Sequence, residues 1–79
     1  MSQPIFRLVS KASKYHNDFG GQNELLDILN GMYSIGYQTE FCSYFGGFTV
    51  HPNFQKKIPN TIINTTIEEM LAPCDIFMM

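Results

Sequence analysis

The chain has little charge and little of the chemistry that binds nucleic acid. Only 15% of its 79 residues are charged, with five Lys or Arg against seven Asp or Glu. A nucleic-acid-binding domain normally carries a basic face, because neutralising phosphates supplies most of its non-specific affinity. The basic residues here form two sparse groups, Arg7, Lys11 and Lys14 in one segment and Lys56-Lys57 in another. Nucleic acid is therefore a disfavoured partner and only the second alternative.

Signals for membranes and for secretion are also missing. No apolar run approaches the about 20 residues that a membrane-spanning helix needs. The first residues, MSQPIFRLVSK, lack the apolar middle and the small-residue cleavage site of a secretion signal. Two cysteines do not make a disulfide framework. These absences favour a cytoplasmic protein without membrane contact, and the length favours a single domain over residues 1–79.

Few residues are suited to metal binding or to nucleophilic catalysis. The two histidines and two cysteines are His16, Cys42, His51 and Cys74, and no CxxC or HxxxH spacing orients any two of them for zinc. Cys42 with His51 is the only candidate nucleophile and base, and no oxyanion site accompanies it. The sequence therefore predicts a protein that is not an enzyme and holds neither metal nor cofactor.

Apolar and aromatic residues are plentiful by contrast. Hydrophobic residues make up 44% of the chain, and seven phenylalanines and four tyrosines raise the aromatic share to 14%. This is enough for one core, and a domain this small leaves some large side chains partly exposed. An aromatic surface of low charge is compatible with binding another protein.

The N-terminal half contains two clear secondary-structure signals. Residues 4–11, PIFRLVSK, alternate loosely and are rich in strand formers, which predicts a strand with Phe6 and Leu8 on one side. From Gln22 apolar residues recur at helical spacing, and Gly36 fits the left-handed position that ends a helix. The predicted buried face of this helix consists of Leu25, Ile28, Leu29, Met32 and Ile35.

Residues 37–50 are typical of a β-hairpin. Polar and apolar residues alternate from 37 to 45, and Gly46-Gly47 supplies the two positive-φ positions of a tight type I′ turn. In this register Phe45 opposes Phe48 on the core face. Cys42 then opposes His51 on the other face.

The C-terminal third completes the predicted fold. Residues 52–60 indicate a loop, and Thr65-Thr66-Ile67-Glu68 indicates a capping box for a second helix, although the β-branched run 61–67 also permits an extended strand. The apolar tail CDIFMM, residues 74–79, predicts a last strand. The order β-α-β-β-α-β predicts an α+β, ferredoxin-like fold, a four-stranded antiparallel sheet of order 4-1-3-2 with both helices on one face.

The segment before the first helix is the candidate ligand site. A glycine pair at a helix start can bind an anion, because the first amide N–H groups point outward at the positive end of the helix dipole. Lys14 and His16 would strengthen such a site at Gly20 and Gly21, whereas Asp18 would repel a phosphate. The segment matches neither a Walker A loop nor GxGxxG, so the interpretation that the sequence favours is a helix start that needs only a flexible backbone.

The same segment carries a resemblance to a known family. Asp18-Phe19-Gly20-Gly21, followed by Leu25, Leu29 and Gly36-Tyr37, resembles the ACT family of regulatory modules, with Gly20 where that family has a proline. The resemblance implies the β-α-β-β-α-β order, a dimer, and an amino acid bound near the loop. The alternative function is therefore an ACT-like sensor of a small anionic metabolite at residues 14–21.

The function that the sequence favours is that of a small interaction protein, which binds and regulates or inhibits another protein. Bacteriophages encode many inhibitors of host proteins with this size and with this Ile-, Asn-, Lys-, Tyr- and Phe-rich composition. Binding would use the exposed face of the predicted hairpin, the last strand, or both, and the apolar edge at 74–79 also allows a homodimer. The candidate partner-binding residues are Gln38, Glu40, Tyr44, Thr49, His51, Ile76 and Phe77.

Overall fold

Within the described residues the fold is an α/β arrangement of four strands and three helices. The computed structural model describes residues 3–10 and 22–79. The strands are β1 (Ile5–Val9), β2 (Gln38–Cys42), β3 (Ile62–Asn64) and β4 (Ile76–Met78). The helices are α1 (Gln22–Ser34), α2 (Pro52–Lys56) and α3 (Ile67–Leu71), and a short 3₁₀ turn spans Tyr44–Gly46. The strands form one sheet in the order β3-β2-β1-β4, and every pairing in it is parallel.

The predicted ferredoxin-like, antiparallel sheet is therefore wrong, and the reason lies at Gly46-Gly47. The glycine pair does not reverse the chain into a hairpin. Gly47 adopts the left-handed conformation at φ 68° as the cap of the 3₁₀ turn, and Phe48 follows at φ 62°. Residues 48–50 consequently leave the sheet and lead into α2. Because parallel neighbours need a crossover, α2 serves as the connection from β2 to β3.

Strand order explains how the helices are divided between the two faces. From β1 through β2 to β3 the chain steps in one direction, and from β3 to β4 it steps back to the other side of β1. Right-handed crossovers then place α1 and α2 on one face and α3 on the opposite face. The first face carries the apolar core, which consists of Phe6, Leu8, Leu26, Leu29, Phe41, Phe54 and Ile58.

The opposite face carries a smaller cluster beneath α3. Val9, Cys42 and Met70 are buried there, and Phe48 packs against them. Because both faces are covered, the central strands β1 and β2 are buried along almost their whole length. The sheet is thus the middle of three layers.

Two predicted elements in the first half are confirmed. The first strand and the first helix lie where the sequence indicated them. Gly36 has φ 106° and Tyr37 N donates to Met32 O at 3.1 Å, which is the expected left-handed ending of the helix. The predicted helix face needs one correction, because Leu26 is buried and Ile35 is 69% exposed.

The region 51–73 differs from its prediction in detail. Residues 52–60 are not a simple loop, since Pro52 begins α2 and the Nδ1 atom of His51 accepts a hydrogen bond from Asn53 N at 3.0 Å. The open alternative for 61–67 resolves into an extended strand, β3, followed by α3. The cap of α3 is Thr66 rather than Thr65, and its hydroxyl accepts from Glu69 N at 3.2 Å.

The last strand is confirmed as β4. It begins after Asp75, which is tied to β1 twice. Ile5 N donates to Asp75 Oδ2 at 2.6 Å, and Asp75 N donates to Ile5 O at 3.0 Å. In the described part of the chain, no helix is long and apolar enough to cross a membrane.

Candidate protein-binding site

The carboxyl end of the sheet carries the most distinctive surface of the molecule. In open parallel sheets, binding sites lie beyond the carboxyl ends of the strands, where the connecting loops leave the sheet. The loop that leaves β2 here contains three aromatic residues within five positions: Tyr44, Phe45 and Phe48. We call residues 43–48 the aromatic turn.

The rings of the aromatic turn hold one another in defined orientations. The Tyr44 ring lies 5.2 Å from that of Phe45 and 5.9 Å from that of Phe48, both at nearly right angles. Such edge-to-face pairs are favourable because the positive ring edge meets the negative ring face. Tyr44 is 40% exposed and Phe45 is 58% exposed, whereas Phe48 packs on Val9, Cys42 and Met70. Phe48 thus anchors a pair of rings that face water.

The backbone of the aromatic turn is strained at its anchor. A bulky residue with positive φ is unusual, and such conformations cost about 1–3 kcal/mol. Phe48 is the only non-glycine residue with positive φ among the described residues. The conformation is held by hydrogen bonds from Gly47 N to Tyr44 O at 3.1 Å and from Phe48 N to Ser43 O at 2.8 Å. Strain of this kind concentrates at functional loops.

A buried ion pair lies on the same face of the sheet as the anchor. Arg7 Nε donates to Glu40 Oε1 at 2.8 Å, and both side chains are almost fully buried. Arg7 Nη1 also donates to Met70 O at 2.9 Å and to Ala72 O. The guanidinium therefore ties the central strand to α3 and to the segment that leads into β4. An ion pair with these additional hydrogen bonds positions the helix that covers Phe48.

Two predicted partner-binding residues belong to this buried network. Glu40 was expected on an exposed sheet face and is instead only 7% exposed, because helices cover both faces of the sheet at β2. Gln38 is half-buried, and its Nε2 donates to Glu40 Oε2 at 3.2 Å. Both residues therefore lie in or beside the ion pair rather than on an open hairpin face.

Cys42 and His51 are not the cross-strand neighbours that the hairpin predicted. Cys42 pairs in register with Val9 on one side and with Asn64 on the other. Burial raises the pKa of the Cys42 thiol, an effect that the charge of Arg7 only partly opposes. The thiol is thus protonated at neutral pH, which is the reverse of nucleophile activation. His51 is half-buried at the start of α2.

The other predicted site residues lie in three different places. Tyr44 is part of the aromatic turn, and Thr49 is exposed directly after it. Ile76 and Phe77 are exposed on β4. The proposed ligand-binding residues Lys14, His16, Gly20 and Gly21 lie outside the described residues. Within the described ranges, no group of three or more His, Cys, Asp or Glu is arranged to hold a metal ion.

Sequence reasoning assigned Phe45 and Phe48 to the hairpin core and so missed their role in the aromatic turn. A local signal was nevertheless present. Three aromatic residues flank the two glycines in the sequence Tyr44-Phe45-Gly46-Gly47-Phe48. A two-residue hairpin turn cannot bury that much aromatic surface. The buried Arg7–Glu40 pair had a weaker signal in the sequence. Each of the two strands contains a single charged residue, and the two residues have opposite signs.

Comparison with known proteins found no similar family model, curated protein or solved structure for this chain. The resemblance to ACT modules implied an antiparallel β-α-β-β-α-β sheet, and the parallel sheet removes that basis. Any functional conclusion therefore depends on the chain's own geometry.

Proposed function

We propose that this protein acts by binding another protein, which it regulates or inhibits, and that the aromatic turn is the contact surface. The observation that carries the proposal is the exposed pair Tyr44 and Phe45, held on a strained backbone by the half-buried ring of Phe48. Tyr and Phe are enriched at the centres of protein interfaces, where they bury large areas at a low loss of side-chain entropy.

The pre-organised backbone supports this interpretation. A flexible loop loses conformational freedom when it binds, and that loss reduces affinity. The turn is fixed by two backbone hydrogen bonds and two ring contacts before any partner arrives. A pair of apolar rings presented in this way fits an apolar pocket on the partner. The neighbouring hydroxyl of Thr49 supplies a polar rim.

The test uses two tyrosines of nearly equal exposure. Tyr44 is 40% exposed in the aromatic turn and Tyr33 is 44% exposed on α1. A photoreactive phenylalanine analogue at position 45 would first identify the partner in cells of the source organism. The affinity of the purified pair would then be measured by calorimetry for Tyr44→Ala, Phe45→Ala and Tyr33→Ala.

Truncating a central aromatic residue of an interface costs about 2 kcal/mol or more, or about 30-fold in affinity. We expect losses of this size for Tyr44→Ala and Phe45→Ala, and no more than about twofold for Tyr33→Ala. Equal affinities for all three variants would contradict the proposal. Thermal unfolding of each variant separates lost contact from lost folding.

A further inference from the structure

The backbone of β1 shows which groups of β4 face away from the sheet. Gln38 N donates to Pro4 O at 2.8 Å and Ser10 N donates to Cys42 O at 2.9 Å. The even-numbered residues of β1 therefore bond to β2, and the odd-numbered residues bond to β4. Since Arg7 is opposite Phe77, the bonding residues of β4 are Ile76 and Met78. The N–H and C=O groups of Phe77 consequently point outward.

The side chains of β4 are apolar and exposed on both faces. Ile76, Phe77 and Met78 are 37%, 45% and 42% exposed, and Met79 is 71% exposed. Edge strands of natural proteins are usually protected by a charge, a proline or a bulge. Residues 76–79 contain no charge and no proline, and the nearby carboxylate of Asp75 is turned inward to Ile5 N.

We propose that β4 pairs with β4 of a second copy of this chain, antiparallel and about a twofold axis. Phe77 then lies opposite Phe77 of the second copy, and the two residues exchange a pair of N–H to C=O hydrogen bonds. Ile76 lies opposite Met78 of the second copy on the other face. Two four-stranded sheets join into one continuous sheet of eight strands.

A second copy fits this edge better than an unrelated extended peptide does. The outward backbone groups sit at the middle residue of a three-residue strand, so that an antiparallel copy matches them in register without any shift. The apolar side chains on each face also meet apolar side chains of the same kind. No charged side chain within 76–79 is brought against its own copy by the twofold axis.

The exposed area sets the expected strength of the dimer. With surfaces on the order of 200 Å² for each large side chain, residues 76–79 expose about 400 Å² per chain, which is the most that their pairing can bury. A stable interface buries about 800 Å² per partner. The dimer is therefore expected to dissociate on dilution rather than to be permanent.

Sedimentation velocity over a hundredfold dilution series tests the proposal. We expect the wild-type chain to shift from dimer to monomer with dilution, and Met78→Lys to be monomeric throughout, because it places a charge in the apolar junction. Tyr33→Lys introduces the same charge at an equally exposed site on α1 and should leave the equilibrium unchanged. Phe45→Ala should also leave it unchanged, which separates this proposal from the aromatic turn's proposed function.

A charge exchange tests the register itself. Ile76→Glu and Met78→Lys should each weaken self-association at least tenfold. Mixing the two variants should restore a heterodimer, because the new carboxylate and ammonium groups lie opposite each other. A wild-type chain that stays monomeric at every concentration would overturn the proposal. So would Met78→Lys with undiminished dimerisation, or a folded mixture that forms no heterodimer.

Discussion

The two faces of the sheet are built in different ways. The face under α1 and α2 buries seven apolar side chains in one cluster, including Phe41 and Phe54 with ring centroids 5.2 Å apart. The face under α3 buries only Val9, Cys42 and Met70 as a cluster, beside the polar side chains of Arg7, Glu40 and Asn64. The first face has a thirteen-residue helix, while the second has one of five residues.

The two faces therefore have different roles: one stabilises the fold, and the other fixes the positions of α3 and β4. Burial of apolar area is the main favourable term in folding, so that the α1/α2 face supplies most of the stability. A buried ion pair adds little net stability, because the loss of hydration offsets the attraction, but it strongly favours one arrangement of the groups around it. Arg7 fixes where α3 ends and β4 begins, and both candidate interaction surfaces adjoin that side of the sheet.

The largest expected effect is the loss of a ring from the apolar face. Phe41→Ala should reduce the free energy of unfolding by about 4 kcal/mol, because it removes a fully buried ring and leaves a cavity beside Phe54. Urea denaturation followed by circular dichroism measures the change.

Met70→Ala is the matched truncation on the α3 face. It should reduce the free energy of unfolding by about 2 kcal/mol, because the short helix above it can settle into the space. An equal or larger loss for Met70→Ala would contradict the contrast between the two faces.

Breaking the ion pair on one side has an effect between those of the two truncations. Arg7→Met should destabilise the fold by about 3 kcal/mol, because the buried Glu40 carboxyl group loses its cationic partner. The double variant with Glu40→Leu should recover at least half of that loss. A double-mutant cycle measures this: urea denaturation of the wild type, Arg7→Met, Glu40→Leu and the double variant.

Hydrogen exchange in the same variants shows whether Arg7 holds β4 in place, separately from its effect on the global stability. In the double variant Met70 O and Ala72 O still lack the donor that Arg7 supplies. The β4 amides should therefore exchange faster than in the wild type, even where global stability has recovered. Unchanged protection of β4 would show that the arginine does not hold this segment.

The smallest effect is a pH dependence at the start of α3. The pKa of the exposed Glu69 carboxyl is lowered below its ordinary value of 4.5, chiefly by a hydrogen bond from the backbone N–H of Thr65. The hydroxyls of Thr65 and Thr66 and the backbone N–H of Thr66 add to this effect. A lowered folded-state pKa means that the stabilisation is present above pH 4.5 and is lost as the pH falls through the lowered value.

Glu69→Gln provides the control for this pH dependence. The wild type should be more stable than Glu69→Gln at neutral pH, and the difference should shrink as the pH falls below 4.5. Thermal unfolding of the two proteins across this range measures it. A difference that is constant with pH would show that the cap does not depend on the carboxylate charge.

Local signals predicted those elements that depend on local interactions. The first helix follows from apolar spacing and from Gly36, since no other residue type adopts φ 106° so readily. The last strand follows from an unbroken apolar tail. The missed helix α2 also had a local signal, because Pro52 is typical of a first helical position and His51 accepts a capping bond.

The candidate surfaces were predicted only in part. The exposure of Tyr44 and of Ile76 and Phe77 on an apolar edge was anticipated from the sequence. Glu40 was misplaced because alternation in an antiparallel hairpin puts every second residue in water, whereas a central parallel strand is covered on both sides. Gly46-Gly47 fits a hairpin turn and a left-handed helix cap equally well, so it does not decide between the two folds.

The sequence by itself determined that this chain has enough apolar residues for a core, that a helix precedes and ends at Gly36, and that residues 76–78 form an apolar strand. These follow from residue spacing and backbone preferences within a few positions. Only the tertiary structure decided the direction of the strands, the pairing of Arg7 with Glu40 and the departure of Phe45 and Phe48 from the sheet. Each of these depends on which distant segment covers a given face, and the residues nearby in the chain do not decide between the possible segments.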